Sequence, residues 1–163
     1  MKSRKVLFII IAIIMIANGT GCKKDSTGNP VIPGITTSMN AKVDGVDWSS
    51  VIRTCNKNGN TIVLNGVSAD GKIIEINISP NVVSETLSVN KDYTIPITSF
   101  YKKQATTTTD DIYFATIGTV KLTTLDLTQK LISGTFNFSA VSIAFGTTSV
   151  TSGTFVNISF VGN

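Results

Sequence analysis

Two groups of side chains in this sequence have the chemistry to make or break bonds: a cysteine that ends an apolar leader, and a scatter of carboxylates. Cys22 stands in "GTGCKKDSTGN" (19–29), where its thiol is placed to be alkylated by a lipid. The carboxylates are Asp44, Asp47, Asp70, Glu75, Glu85, Asp92, Asp110, Asp111 and Asp126, and a pair of them could supply the acid and base of glycoside cleavage. Most lie in turn-type sequence, where Asp caps the backbone, and Glu75 falls on the wet side of an alternating run. The sequence has no histidine, which excludes Ser-His-Asp and Cys-His catalysis and the ordinary zinc site. No G-x-x-x-x-G-K-[ST] or G-x-G-x-x-G stretch cradles a nucleotide. "DGVDW" and "TTDD" lack the oxygen spacing of an EF-hand calcium loop. The expectation is a domain that is not an enzyme and holds no cofactor or metal.

The leader explains Cys22. Lys2, Arg4 and Lys5 precede Val6–Ala17, twelve residues without a polar side chain. That run makes about 18 Å of helix against a hydrocarbon core of about 30 Å, too short to span and right for a signal-peptide helix. Asn18, Gly19, Thr20 and Gly21 are small residues that lie extended in a peptidase cleft. With Cys22 they resemble the lipobox of bacterial lipoproteins, although Gly19 stands where Leu is usual. The resemblance implies cleavage between Gly21 and Cys22, diacylglycerol on the sulfur and acylation of the new amine, palmitate being a typical chain. Two or three acyl chains hold a protein stably, so the expected partner is the membrane, reached through Cys22. "KKD" after the cysteine resembles in part the surface-export signal of Bacteroidetes lipoproteins; an ordinary solvated charge cluster is the alternative. A lipid-anchored outer-membrane location follows, with the periplasmic and surface faces both open.

Losing residues 1–21 takes Lys plus Arg from 14 to 11 against 10 acidic residues, so a formal charge of +4 becomes +1. No basic stripe survives, and nucleic-acid binding is not expected. With Cys22 lipidated, Cys55 has no partner for a disulfide. Two readings of Cys55 stand: a thiol acidified by Arg53 and Lys57, or a half-buried structural residue.

Residues 1–21 are thus a signal peptide and 22–38, with two prolines and two glycines, a lipidated N-terminus and flexible linker. Residues 39–163 make a single β domain. "TIVLNGVS" (61–68) and "KIIEINIS" (72–79) flank the turn pair Asp70-Gly71 as a hairpin, and Ile74, Ile76 and Ile78 alternate with polar residues. A further strand is expected over 86–95, an exposed loop over 101–111, and strand again over 112–127. Ser-Gly-Thr-Phe occurs at 133–136 and 152–155, in two consecutive antiparallel strands. Phe136, Phe138, Ala140 and Ile143 lie near one side of the first. Phe155 and Ile158 cannot share a period-2 face, which calls for a bulge in the second. Eight or nine strands in an antiparallel meander predict an all-β fold, a β-sandwich or a partly open β-barrel.

Asp44-Gly45 is a turn signal and Trp48 the single tryptophan, a core plug or lid, and the candidate ligand contact if a second aromatic joins it. Tyr93, Phe100, Tyr101 and Tyr113 are the candidates for that second ring. Together, the lipobox, "AKVDGVDWSS" and "ISGTFNFSA…VTSGTFVNISF" resemble small Bacteroidetes lipoproteins classed as a domain of unknown function, the DUF6252 type. That resemblance implies an envelope lipoprotein with a β domain and supplies no activity. The leading expectation is a lipid-anchored envelope protein whose β domain binds or scaffolds an envelope protein or glycan. A barrel with a cavity for a lipid or glycan is the alternative.

Overall fold

The computed structural model describes residues 34–104 and 109–163. The signal peptide, Gly21, Cys22 and the linker as far as residue 33 lie outside the described residues. The described chain forms strands β1 (Ser38–Val43), β2 (Val46–Asn58), β3 (Thr61–Ser68), β4 (Ile73–Ile78), β5 (Asp92–Thr94), β6 (Phe100–Lys102), β7 (Ile112–Asp126), β8 (Leu131–Ser142), β9 (Thr147–Ser159) and β10 (Val161–Gly162). No α-helix occurs among these residues, and one turn of 3₁₀ helix spans Thr109–Asp111.

Neighbours in the sheet are mostly neighbours in sequence. The path runs β1-β9-β8-β7-β6-β4-β3-β2, and β1 pairs back onto β2, so eight strands close into an up-and-down barrel. β5 pairs with β7 at Lys121, Val120 and Thr119, below β6, so the two short strands share one place in the wall. The two-residue β10 lies parallel to β2 at Asn56 and Lys57, the single parallel pairing among the described residues. The sandwich and the partly open barrel are both corrected by this closure. The decisive element is β1, whose Val43, Lys42 and Asn40 each face one residue of β2 and one of β9.

Alternation supplies the core. Ile62 and Leu64 of β3, Ile74, Ile76 and Ile78 of β4, and Phe136, Phe138 and Ala140 of β8 all point inward and are buried. With Met39, Tyr93, Leu122, Val150, Phe155 and Ile158 they form one cluster drawn from residues 39–160. The barrel therefore closes over a core of its own. Cys55 belongs to that core, and burial pushes its thiol up to about 12. Of its two readings, the structural one is correct.

The two Ser-Gly-Thr-Phe segments pack reciprocally. In the β8–β9 ladder Gly134 faces Phe155, Thr135 faces Thr154 and Phe136 faces Gly153. A side-chain carbon added at Gly134 would lie 2.5 Å from the Phe155 ring, and one at Gly153 would lie 2.5 Å from the Phe136 ring. Each copy's missing side chain is the space for the other copy's phenylalanine, and the rings meet at 6.3 Å. The expected break in alternation is present twice. Ser152 (φ 51°) and Asn157 (φ 49°) adopt left-handed backbone where β9 spends three residues against two of β8. At the second bulge Ser133 Oγ accepts the Asn157 N–H at 2.9 Å. These bulges turn both Phe155 and Ile158 inward.

Four expectations about individual segments need correction. The strand expected over 86–95 is reduced to Asp92–Thr94. Asn90 (φ 62°) breaks the extension, and the buried Tyr93 hydroxyl is held by the Ser88 N–H at 2.6 Å, which folds Leu87 inward. The loop expected over 101–111 begins instead as β6, because Tyr101 turns into the core while β4 and β7 both lack a neighbour there. Ile143 leaves the Phe136 face at the β8–β9 turn and is exposed. β1 also starts at Ser38, inside the stretch assigned to the linker.

Candidate functional site

Up-and-down order gathers alternate connections at each end of the barrel. One end, here the mouth, carries the β1–β2, β3–β4 and β8–β9 connections, the end of β6 and the start of β7. At the β1–β2 turn Asp44 (φ 50°) and Gly45 (φ 81°) are both left-handed, the conformation of a two-residue hairpin that Asp-Gly favours. The β3–β4 connection closes through Ser68 N–H to Lys72 O at 2.9 Å, with Gly71 (φ 80°) reversing the chain. Both turns were legible as Asp-Gly pairs; that they stand beside one another was not.

Between them lies a cleft of about 430 Å³. Its floor is apolar and aromatic, from Val43, Trp48 and Tyr101, and Val46, Asp47, Asp70, Lys72 and Lys103 stand around it. Trp48 is only 5% exposed, so it plugs the mouth and leaves the cleft little of its indole surface. Gly66 makes room for it: a side-chain carbon there would come within 2.7 Å of both Trp48 Cη2 and Met39 Sδ. The indole Nε1 is buried and has no hydrogen-bond partner, an arrangement that ordinarily costs about 1–3 kcal/mol. Tyr101 is the second aromatic at the mouth and packs at 6.0 Å against Tyr113. Burial, with the Asp70 and Asp44 charges nearby, pushes the Tyr101 hydroxyl up to about 12. Of the other rings considered, Tyr93 is buried opposite Val120 of β7 and bonded to Ser88, and Phe100 faces Phe114 on the ladder to β7.

Each carboxylate at the cleft is engaged. Asp44 accepts the Ser149 N–H at 2.8 Å and the Thr148 hydroxyl at 2.9 Å, which clasps the β1–β2 turn to β9 across the seam where the barrel closes. Asp47 meets Lys42 Nζ at 2.6 Å. Asp70 meets Lys72 Nζ at 2.8 Å and accepts from the Ser68 hydroxyl, and these bonds lower its carboxyl to about 2. Among the described residues no group of three or more His, Cys, Asp or Glu is placed to hold a metal ion. Tyr101 is the one of the four candidate rings that joins Trp48 in the lining, whereas Lys72, Lys103 and Ser68 carried no signal as site residues in the sequence, since their grouping depends on the barrel.

The outer wall has a second depression of about 450 Å³, almost wholly apolar, lined by Ile97, Thr98, Phe114, Val141, Ser142 and Ile143. Opposite the mouth, the floor of the barrel carries the Gly59-Asn60 turn and the long β4–β5 connection that inserts Leu87. Ser38, where the linker joins β1, lies at that floor, six residues below the Asp44 turn.

A family model described as a domain of unknown function (DUF6252) matches residues 35–159 of this chain. No curated protein and no solved structure matches it.

Proposed function

The chain belongs to the DUF6252 family, and from that premise we propose that it is a lipid-anchored envelope protein whose barrel is a non-catalytic binding module working at its mouth. The observation that carries the reading is the direction of β1. Ser38 lies at the floor and Val43 at the mouth, so a tether arriving from Cys22 meets the barrel at the end opposite the cleft. An anchor at the floor leaves the mouth turned toward the medium, where a partner approaches.

The packing supports binding at the mouth over a ligand held inside the barrel. Ile62, Leu64, Ile74, Ile76 and Ile78 have no exposed surface at all, so no space the size of a water molecule borders them. The carboxylates of the mouth are held by their own partners, which supports recognition over acid–base chemistry.

Anchoring is tested on the full chain by Cys22→Ser. The reading expects loss of palmitate labelling and release of the protein from the membrane fraction. Retention of both would refute it.

A further inference from the structure

We infer that the mouth cleft is a carbohydrate site, taking a short neutral saccharide across the floor of Val43, Trp48 and Tyr101 with its hydroxyls on Asp47, Asp70, Lys72 and Lys103. This rests on the reading of the mouth as the binding face, and it names what binds there.

Size comes first. A volume of about 430 Å³ lies within the range of small-molecule sites, and the cleft is recessed between two turns rather than spread over the wall. The apolar floor and polar rim match the two sides of a sugar ring, whose C–H face is apolar and whose hydroxyls project at the edge. The floor offers Val43, Tyr101 and the little of Trp48 that is exposed, so contact is by C–H packing on these side chains.

Charge then narrows the class. Asp70 is paired with Lys72, and Asp47 with Lys42 just outside the cleft, so the rim presents both donors and acceptors. An anionic ligand would meet Asp44, Asp47 and Asp70, and a cationic one would meet Lys72 and Lys103. A hydroxyl is the group that serves both, donating to a carboxylate while accepting from an ammonium, and each ion pair survives its arrival. Asp70 stays ionised through the physiological range and is a constant acceptor. Trp48 lines the cleft, and its buried Nε1 has no acceptor. A fatty chain is disfavoured at such a rim.

Trp48 is the single tryptophan, so its emission reports on this cleft without labelling. The barrel from residue 34 onward, which carries the whole core, is titrated with maltose, cellobiose, chitobiose and mannobiose, and with glucuronic acid and a neutral tripeptide as competitors of other classes. The expected result is a saturable emission change, and a shift of the indole N–H proton resonance, with at least one disaccharide. Asp70→Ala, at an exposed residue that leaves the core intact, weakens that binding by about tenfold or more, as loss of a charged hydrogen bond requires. Glu85→Ala, in the β4–β5 connection at the floor, leaves it unchanged. Binding of only the acid or the tripeptide overturns the carbohydrate class while leaving the mouth as the binding face. A saccharide response untouched by Asp70→Ala places the site elsewhere and overturns the inference. No response to any probe overturns both the inference and the working mouth, with lipid anchoring still decided by Cys22→Ser.

Discussion

Replacing Gly153 by alanine asks whether the two Ser-Gly-Thr-Phe segments hold the barrel together by reciprocal packing. The backbone at Gly153 is not left-handed, so alanine meets no conformational strain there and gains about 0.5–1 kcal/mol by intrinsic preference. The added carbon, however, would lie 2.5 Å from Cδ2 of Phe136 and 2.5 Å from the Phe136 carbonyl oxygen. Ordinary contact needs roughly 1 Å more, and a ring rotation relieves only one of the two clashes. The β8–β9 ladder itself must separate, in a core that is close-packed around Phe136 and Phe155. Overpacking costs about 1–3 kcal/mol, and with backbone in the clash the upper half of that range applies, so the net loss is about 1–2.5 kcal/mol. For a domain of this size that lowers Tm by about 3–10 °C. The assay is urea and thermal unfolding followed by Trp48 emission and far-UV circular dichroism, with Phe136→Leu and the double variant closing a cycle. The expected coupling is about 0.5–2 kcal/mol in the direction of rescue, because leucine withdraws the ring that the new methyl meets. Gly153→Ala within about 0.3 kcal/mol of the parent, or two strictly additive single variants, would refute the reciprocal packing.

Asp44→Ala, which removes the acceptor for Ser149 N–H and the Thr148 hydroxyl and leaves a left-handed alanine, should cost about 1–2 kcal/mol, with Asp44→Asn closer to the parent; equal losses in the two would discount the clasp. The Asp70 carboxyl should titrate near 2 by carbon NMR, and Lys72→Ala should raise it toward 3.8. Its folded value lies below the unfolded one, so its stabilising effect is whole above pH 3.8 and disappears as pH falls through about 2; a carboxyl titrating near 3.8 in the parent chain would contradict the bonded geometry. Cys55 should resist iodoacetamide at pH 8 in the folded barrel and react on unfolding, since burial holds the thiol protonated. Its folded value lies above the unfolded one, so its contribution is whole below pH 9 and is lost as pH rises toward 12; rapid alkylation of the native chain would contradict the burial.

Much of the fold is legible without coordinates where the signal is local. Ile74, Ile76 and Ile78 alternate with Glu75 and Asn77 because one side of β4 is dry and the other wet, and the structure buries those three isoleucines. Asp44-Gly45 and Asp70-Gly71 mark their turns because left-handed backbone selects such residues. The failure of Phe155 and Ile158 to share a period announces a bulge even though it does not reveal which residue will adopt positive φ. Short strands were less legible. Tyr101 in β6 is strand only because β4 and β7 present open edges on either side of it, and Tyr93 is buried only because Ser88 folds back to it.

What the sequence by itself determined is the chain's local character. It specified alternation in β4 and β8, turn chemistry at the two Asp-Gly pairs, and a chain without histidine. Closure, the mouth and the reciprocal glycines belong to the tertiary structure. β1 can bridge β9 and β2 only after seven other strands have accumulated enough twist to bring the first and last together. Trp48, Asp70 and Tyr101 share one cleft for the same reason, although more than fifty residues separate the first from the last. The repeated Ser-Gly-Thr-Phe is visible to the eye, yet its meaning comes from an antiparallel register that sets Gly134 against Phe155 and Phe136 against Gly153. Register depends on contacts across strands and on bulges at Ser152 and Asn157, and no periodicity along a single strand carries that information.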